Sequence, residues 1–388
     1  MNGSAPFHLP PPTGGRVDLL VIAGEHSGDE HAGKAVQELR AKQPGLVVAA
    51  LGGPKLTAAG AQLLFDLTAS SVVGIVEVLK NVSFFRALFA ETLRWIGEHR
   101  PRAVCFVDYP GLNLRLAAAL RQRGLSAKGG GTIKTLYYIS PQIWAWKAGR
   151  RFAMARDLDA MAAIFPFERE SYADTSLPVE FVGHPFLLTS ERPPVRYDPE
   201  GVVLLLPGSR KQAVARIFPL LLGGFDALGE RLAAVRYPSE EIGVELEKFL
   251  TPRLRCLKRL VILREPGGPP VAASAVLTSS GTMSMQCALA GIPGAIAYRT
   301  NPLTYLLGRM LVRVEYIGMA NLILREPMYP EFIQGAATPS ALGAQLRACL
   351  HDPSRREKAA AQAARLRALL DVPASGTAAD WLARQLAK

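Results

Sequence analysis

Short, mainly apolar runs alternate along this chain with longer stretches whose apolar residues recur at helical spacing. Val17–Ala23, Leu46–Leu51, Ala103–Val107, Thr135–Ile139, Ala160–Phe165 and Val179–Val182 are runs of the first kind. Such runs read as strands buried on both faces. His31–Lys42 and Leu112–Arg123 read as helices between them. Alternating strands and helices predict a parallel α/β sheet. The pattern pauses at Ser190–Gly201 (SERPPVRYDPEG), which is proline-rich, polar and charged. It then restarts with a strand at Val202–Leu206 and a helix over Gln212–Leu228. Residues 233–270 are harder to read, with a charged helix at Glu240–Phe249 and a strand at Leu260–Leu263. Strands at Ala275–Thr278 and Gly294–Tyr298 follow, and 339–388 reads as alanine- and arginine-rich helices.

Two α/β halves without a short repeat fit 388 residues, more than one domain usually holds. The expected organisation is a disordered tail over 1–15, a Rossmann-like domain over 16–190 and a linker at 191–201. A second Rossmann-like domain would cover 202–350, with helices at 351–388 packing back across the cleft. The first 15 residues lack the basic start and long apolar stretch of a signal peptide. No run of about 18 apolar residues is present, so any membrane contact is expected to be peripheral.

Composition narrows the chemistry. Hydrophobic residues at 49% supply sizeable cores and argue against global disorder. Cys105, Cys256, Cys287 and Cys349 show no CxxC pairing; Cys105 and Cys287 lie in apolar runs and read as buried thiols in a reducing cytoplasm. The histidines are scattered without an HExxH pattern, so neither a structural metal nor a cofactor is expected. The net charge of +12 fits solubility, anionic lipid or a phosphorylated substrate. No basic stretch is interleaved with aromatics, which disfavours nucleic acid as a partner.

Two turns carry the clearest chemical signal. Gly24-Glu-His-Ser-Gly-Asp29 follows the first strand, and Pro207-Gly-Ser-Arg210 follows the strand at 202–206. Each is a small-residue turn from a strand into a helix, where backbone N–H groups can face an anion or a sugar hydroxyl. Two such turns, half a chain apart, suggest two nucleotide-fold lobes facing one cleft, the architecture of sugar-nucleotide transferases. Asp108 ends the strand at 103–107, so it sits at the carboxyl edge of the sheet, where open α/β sheets bind ligands. It reads as a general base or as a helix cap. Arg210 is placed to bind phosphate, or is a surface arginine at a helix start. Ser280, Gly281 and Thr282 form another small-residue turn, suited to a diphosphate or a ribose, or to helix capping alone.

With these motifs in hand, the chain resembles the lipid-A-disaccharide synthases, a family of inverting glycosyltransferases. The resemblance rests on the Gly24–Asp29 turn, Val73–Leu79, Val107–Asn113, Tyr138–Trp146, Phe165–Glu168 and Phe181–Pro185. Leu206–Arg210, Ser280–Thr282 and Tyr316–Asn321 extend it to most of the globular chain. It implies an α/β GT-B fold, two Rossmann-like domains facing a central cleft. It implies transfer of diacylglucosamine from UDP to the 6-hydroxyl of diacylglucosamine 1-phosphate, giving a β(1→6) link without a metal. The family's proposed base aligns with Asp108.

The resemblance also sketches the rest of the site. Gly24, Glu25, Ser27, Gly28 and Asp29 would line the cleft, although Ser27 or Asp29 could equally cap the helix. Asn113, Ser140, Trp144 and Trp146 would face substrate, with core packing the alternative for the two tryptophans. Gly208, Ser209, Gln286 and Asn321 would join the nucleotide site, with a loop hydrogen bond as the alternative for Asn321. The family's partners would be the two acylated sugars and anionic inner-membrane lipid, reached from the cytoplasmic face. A homodimer with exchanged C-terminal segments is also compatible with it.

Val72–Phe89 is the expected membrane element. Val76, Leu79, Val82, Phe85 and Leu88 recur at helical spacing, flanked by Lys80 and Arg86. The alternative is a helix packed on its own domain. The chain departs from the family pattern at Gly111, Ala213 and Ser274, and at Gln286 in place of a glutamate. Two rival functions remain: another GT-B sugar-nucleotide enzyme, such as an epimerase or a different lipid glycosyltransferase, and a weakened paralogue that binds lipid or nucleotide.

Overall fold

A computed structural model describes residues 7–70, 82–188, 193–229, 231–250, 260–264, 269–302, 305 and 315–387. They form two compact units, one running to Leu188 and resuming at Val372, the other spanning Thr189–Asp371.

The first unit holds a seven-stranded sheet. Its strands are β1 (Leu19–Ala23), β2 (Val48–Gly52), β3 (Gln62–Asp66), β4 (Ala103–Val107), β5 (Lys134–Tyr138), β6 (Ala160–Ala163) and β7 (Val179–Phe181). The order is β3-β2-β1-β4-β5-β6-β7, every pair parallel. LLVIA of β1 and AVCFV of β4 are buried throughout, as a sheet covered on both faces requires. The helices His26–Lys42, Val82–His99 and Pro110–Gln122 follow strands and supply the cover.

The second unit repeats the plan. Its strands are β8 (Val195–Leu206), β9 (Ala233–Tyr237), β10 (Leu260–Arg264), β11 (Val271–Thr278), β12 (Gly294–Tyr298) and β13 (Glu331–Ile333). Their order is β10-β9-β8-β11-β12-β13, again parallel. The helix Lys211–Asp226 packs closely on the helix Pro339–His351. Gly224 permits this, since a Cβ there would lie 2.9 Å from the Leu342 Cβ.

Two sequence expectations need revision. Residues 7–15 are not a loose tail. Leu9 is buried and its N–H donates to Glu91 Oε1 at 2.8 Å. The Trp95 indole donates to the Pro10 carbonyl at 2.9 Å, and Phe7 meets Phe65 edge-on. The expected linker at 191–201 is strand from Val195 onward, paired with β11 at Val271 and Ala272. The C-terminal helices divide: Pro353–Leu370 belongs to the second unit and Ala378–Ala387 to the first. There the last helix is held by Arg102 on the Leu386 carbonyl at 2.5 Å and Lys134 on the Gln385 carbonyl at 2.8 Å.

The proposed membrane face also changes. Val76 and Leu79 lie outside the described residues, as does the side chain of Val82. Leu88 is fully buried in the first unit's core, and Phe85 packs against that core beside Phe84 and Phe89. Leu88 therefore cannot enter a lipid interface while the unit stays folded. Leu88→Ala is expected to destabilise this unit by roughly 2–5 kcal/mol, the usual range for a buried leucine. Denaturant unfolding followed by the intrinsic tryptophans checks this.

Candidate active site

In each sheet the strand order reverses once, between β1 and β4 and between β8 and β11. The carboxyl edge at such a reversal is where open α/β sheets leave a ligand crevice. The two principal motifs of each half fall at these points. Ala23 is opposite Val107 in the register, so the Gly24 and Asp108 turns lie side by side. Leu206 is opposite Thr278, which does the same for the Gly208 and Ser280 turns.

The Asp108 turn is built around backbone strain. Asp108 and Tyr109 are both left-handed, at φ 45° and 48°, a costly pair for residues other than glycine. Three hydrogen bonds hold it. The Asp108 N–H donates to the Tyr138 carbonyl at 3.0 Å. The Asp108 carbonyl accepts from the Tyr137 hydroxyl at 2.6 Å and from Asn113 Nδ2 at 2.7 Å. The turn lays the Tyr109 ring over Gly24, whose hydrogen leaves the only room available, since a Cβ would overlap the ring. Asp108 is thereby fixed at the sheet edge by its backbone.

Asn113 and Tyr137 are accordingly positioning groups. Asn113 is fully buried, so it does not reach a ligand as the sequence suggested. Tyr137→Phe removes one of the two bonds to the Asp108 carbonyl with little change in volume. It is expected to lower kcat roughly 5-fold, as loss of a hydrogen bond of about 1 kcal/mol would, while acceptor KM changes less than kcat. Steady-state kinetics with both substrates varied separates the two.

Other residues expected to bind substrate have structural tasks. The Asp29 carboxylate is 1% exposed and accepts N–H bonds from Gly53 (2.8 Å), Lys55 (2.9 Å) and Leu56 (3.2 Å). It caps the neighbouring helix Pro54–Ala58. Gly28 is buried against Val107 and Ala23. Ser140 is buried, its hydroxyl 2.8 Å from that of Tyr172. Asn321 is fully buried, bridging the Tyr329 backbone and Glu331 Oε1. Glu331 in turn accepts from the Ile317 and Gly318 N–H groups. Glu25 and Ser27 stay half-exposed at the first turn.

Past β5, Trp144 and Trp146 are each half-exposed. Trp144 donates its indole N–H to Glu168 Oε1 at 3.3 Å and meets Phe167 edge-on. Glu168, the last residue of the Phe165–Glu168 motif, is a site residue that the sequence alone does not reveal. It is fully buried, and burial pushes its carboxyl up to about 8, opposed by hydrogen bonds from Phe165 and Trp144. Nearby His184 is likewise buried, and burial first, then the His31 charge, lowers its pKa to about 3. Its imidazole is therefore neutral at pH 7.

In the second unit, Gly208 has φ 105° and no space for a Cβ, which would sit 2.9 Å from the Ser279 hydroxyl. The Ser279 N–H donates to the Leu206 carbonyl at 2.8 Å, tying the two turns together. Arg210 is exposed, in the extended conformation that precedes the helix Lys211–Asp226. Ser209, Gly281 and Thr282 are exposed, and Ser280 and Gln286 half-exposed. Two helix N-termini thus open at one sheet edge beside a guanidinium, an arrangement suited to a diphosphate. Among the described residues no group of three or more His, Cys, Asp or Glu could hold a metal ion.

Two Rossmann-type units of this kind, each with its residues at the strand-order reversal, define the GT-B class of sugar-nucleotide enzymes. Solved structures agree on the fold. The glycosyltransferase of kitacinnamycin covers 96% of this chain and 100% of its own, at TM-score 0.55 and 17% identity. A putative UDP-N-acetylglucosamine 2-epimerase from Listeria monocytogenes covers 95% of each chain at TM-score 0.57 and 12% identity. A fold shared by transferases and epimerases leaves the reaction open; sequence relatives decide the family. Residues 19–381 match the lipid-A-disaccharide synthetase family, and the chain belongs to it. It is 35% identical over 361 residues to the lipid-A-disaccharide synthase of Geobacter metallireducens, covering 90% of this chain and 92% of that one. The Coxiella burnetii synthase is 32% identical over 380 residues, covering 94% and 96%. The chain is thus a glycosyltransferase.

Proposed function

We propose that this chain transfers 2,3-diacylglucosamine from UDP to the 6-hydroxyl of 2,3-diacylglucosamine 1-phosphate. The products are the β(1→6)-linked disaccharide 1-phosphate and UDP. The family match over nearly the whole chain carries this reading. In it, Asp108 takes the proton of the acceptor hydroxyl as that oxygen bonds to the donor's anomeric carbon. The bond from that carbon to the diphosphate breaks on the opposite side, which inverts the centre. Arg210 and the helix N-termini at Lys211 and Thr282 take up the charge that develops on departing UDP. Gln286 offers the ribose a neutral amide.

Incubation of the purified protein with both acylated sugars is expected to release UDP and disaccharide 1-phosphate in equal amounts. Conversion of the UDP-sugar to an isomer without disaccharide would instead support the epimerase reading. Turnover is also expected to persist in EDTA, because Arg210 and helix N–H groups supply the positive charge. Loss of activity restored by Mg²⁺ or Mn²⁺ would overturn that assignment.

The acylated substrates and the net charge of +12 support peripheral attachment to anionic lipid at the cytoplasmic face of the inner membrane. Among the described residues no helix is long and apolar enough to cross a membrane. A homodimer with exchanged C-terminal segments would seat the Ala378–Ala387 helix on a second copy through the contacts made here by Arg102 and Lys134. Sedimentation equilibrium tests that state.

A further inference from the structure

The segment that leaves β5 gathers positive charge where fold stability alone would avoid it. Lys147 is left-handed at φ 54°, a strained conformation for lysine, and its ammonium lies 4.4 Å from the centre of the Trp146 ring. The Arg150 guanidinium lies 5.0 Å from the same ring. Arg150 also opens the helix Arg150–Asp157, whose first turn holds no acidic residue. A cation there opposes the positive end of the helix. Neighbouring Arg151 has its charge met by Asp174 at 2.7 and 2.6 Å. Among the described residues no carboxylate pairs with Lys147 or Arg150.

Two cations and a helix N-terminus converging on one indole repel one another unless an anion joins them. The ring supports the cations from one side and leaves their remaining N–H donors for an oxyanion. The cluster also belongs to the Asp108 edge. Burial raises the Tyr137 hydroxyl well above its ordinary value; the Asp108 charge adds to this and the Arg150 charge opposes it. One hydroxyl, itself 2.6 Å from the Asp108 carbonyl, therefore feels both residues.

We propose that Lys147 and Arg150, braced on Trp146, form a phosphomonoester subsite that holds the 1-phosphate of the acceptor. This rests on the transfer reaction proposed above and names a specificity element within it. The donor's phosphates, held as a diester-type diphosphate at Arg210 in the other unit, are not its ligand. The site would orient the acceptor so that its 6-hydroxyl, at the other end of the same sugar, meets Asp108.

The test pairs two acceptors with three variants. Wild type is compared with Lys147→Ala, Arg150→Ala and the combination, on diacylglucosamine 1-phosphate and on the same sugar with a free 1-hydroxyl. Loss of the phosphate should raise the wild-type acceptor KM roughly 10–100-fold, the effect of removing charge-assisted hydrogen bonds. The combined variant should show the raised KM for the phosphorylated acceptor and discriminate less than about 3-fold between the two, the rest of the phosphate preference being lost with its partners. Donor KM should stay at the wild-type value. Discrimination as strong as in wild type would overturn the subsite. Two further arms separate sources. Glucosamine 1-phosphate binding, followed by NMR titration, should be lost in the combined variant even if disaccharide is never formed. Co-sedimentation with phosphatidylglycerol vesicles should be unchanged; lost vesicle binding with intact phosphate discrimination would assign the cluster to lipid headgroups instead. Unchanged thermal unfolding of Arg150→Lys, with partial recovery of acceptor KM, shows that charge rather than folding is being read.

Discussion

Asp108→Asn is expected to cut turnover about 10²–10⁴-fold, the usual cost of losing a general base. The substitution is isosteric, and the amide cannot accept the acceptor's proton. Its interpretation is helped by how the residue is held. The backbone of Asp108 is fixed by Tyr138, Tyr137 and Asn113, all acting on its main-chain N–H and carbonyl. These three main-chain bonds are available to asparagine as well as to aspartate. Unfolding temperature should stay near wild type, and UDP affinity should be unaltered, since the nucleotide is assigned to the other unit. A kcat close to wild type would remove Asp108 from the base role. A collapse in stability would instead make it a structural residue of the strained turn.

The main strands were legible because they are short, mainly apolar runs. β4 and β12 were read with the bounds they have. The misses share a cause. β9 carries Arg236, a buried guanidinium that donates to the Pro194 carbonyl at 2.5 Å and leaves an apolar run of only Leu232–Val235 before it. β3 begins and ends in polar residues, and β13 is three residues long at the sheet margin. The opening of β8 contains Pro199 and charged residues, so it passed for a linker.

Site residues were legible by location more than by task. The strand-order reversals do hold the Gly24, Asp108, Gly208 and Ser280 turns. Yet an aspartate or asparagine that could bind sugar could equally cap a helix or brace a turn. Asp29 and Asn113 spend their hydrogen bonds on backbone, and Asn321 on the Tyr329 backbone and Glu331. Tyr137 gave no signal, because its hydroxyl works on a neighbouring strand's carbonyl that only the fold brings near. Leu88 leaves the expected membrane face for a geometric reason. Steps of three residues in a helix of 3.6 per turn drift by about 60° each, so Val76 and Leu88 would not share a side. Leu88 is accordingly core.

Arg210→Ala is expected to weaken UDP binding roughly 10–100-fold, the cost of a charge-assisted hydrogen bond. It should also lower kcat by a further ~10²-fold or more, as losing a donor to developing negative charge does. Both effects are expected because the same guanidinium would meet the diphosphate in the ground state and more strongly as the bond to the sugar breaks. The backbone around it should not move. The turn is fixed by the close approach of Gly208 to the Ser279 hydroxyl and by the Ser279 N–H on the Leu206 carbonyl. Arg210→Lys should recover part of the UDP affinity and less of the rate, since an ammonium supplies charge without the guanidinium's planar pair of donors. Calorimetry with UDP and single-turnover transfer separate the two losses. Unchanged UDP affinity would show that the side chain is not at the diphosphate. Weakened affinity with an unchanged chemical step would confine it to ground-state binding and leave the leaving group to the helix N-termini at Lys211 and Thr282.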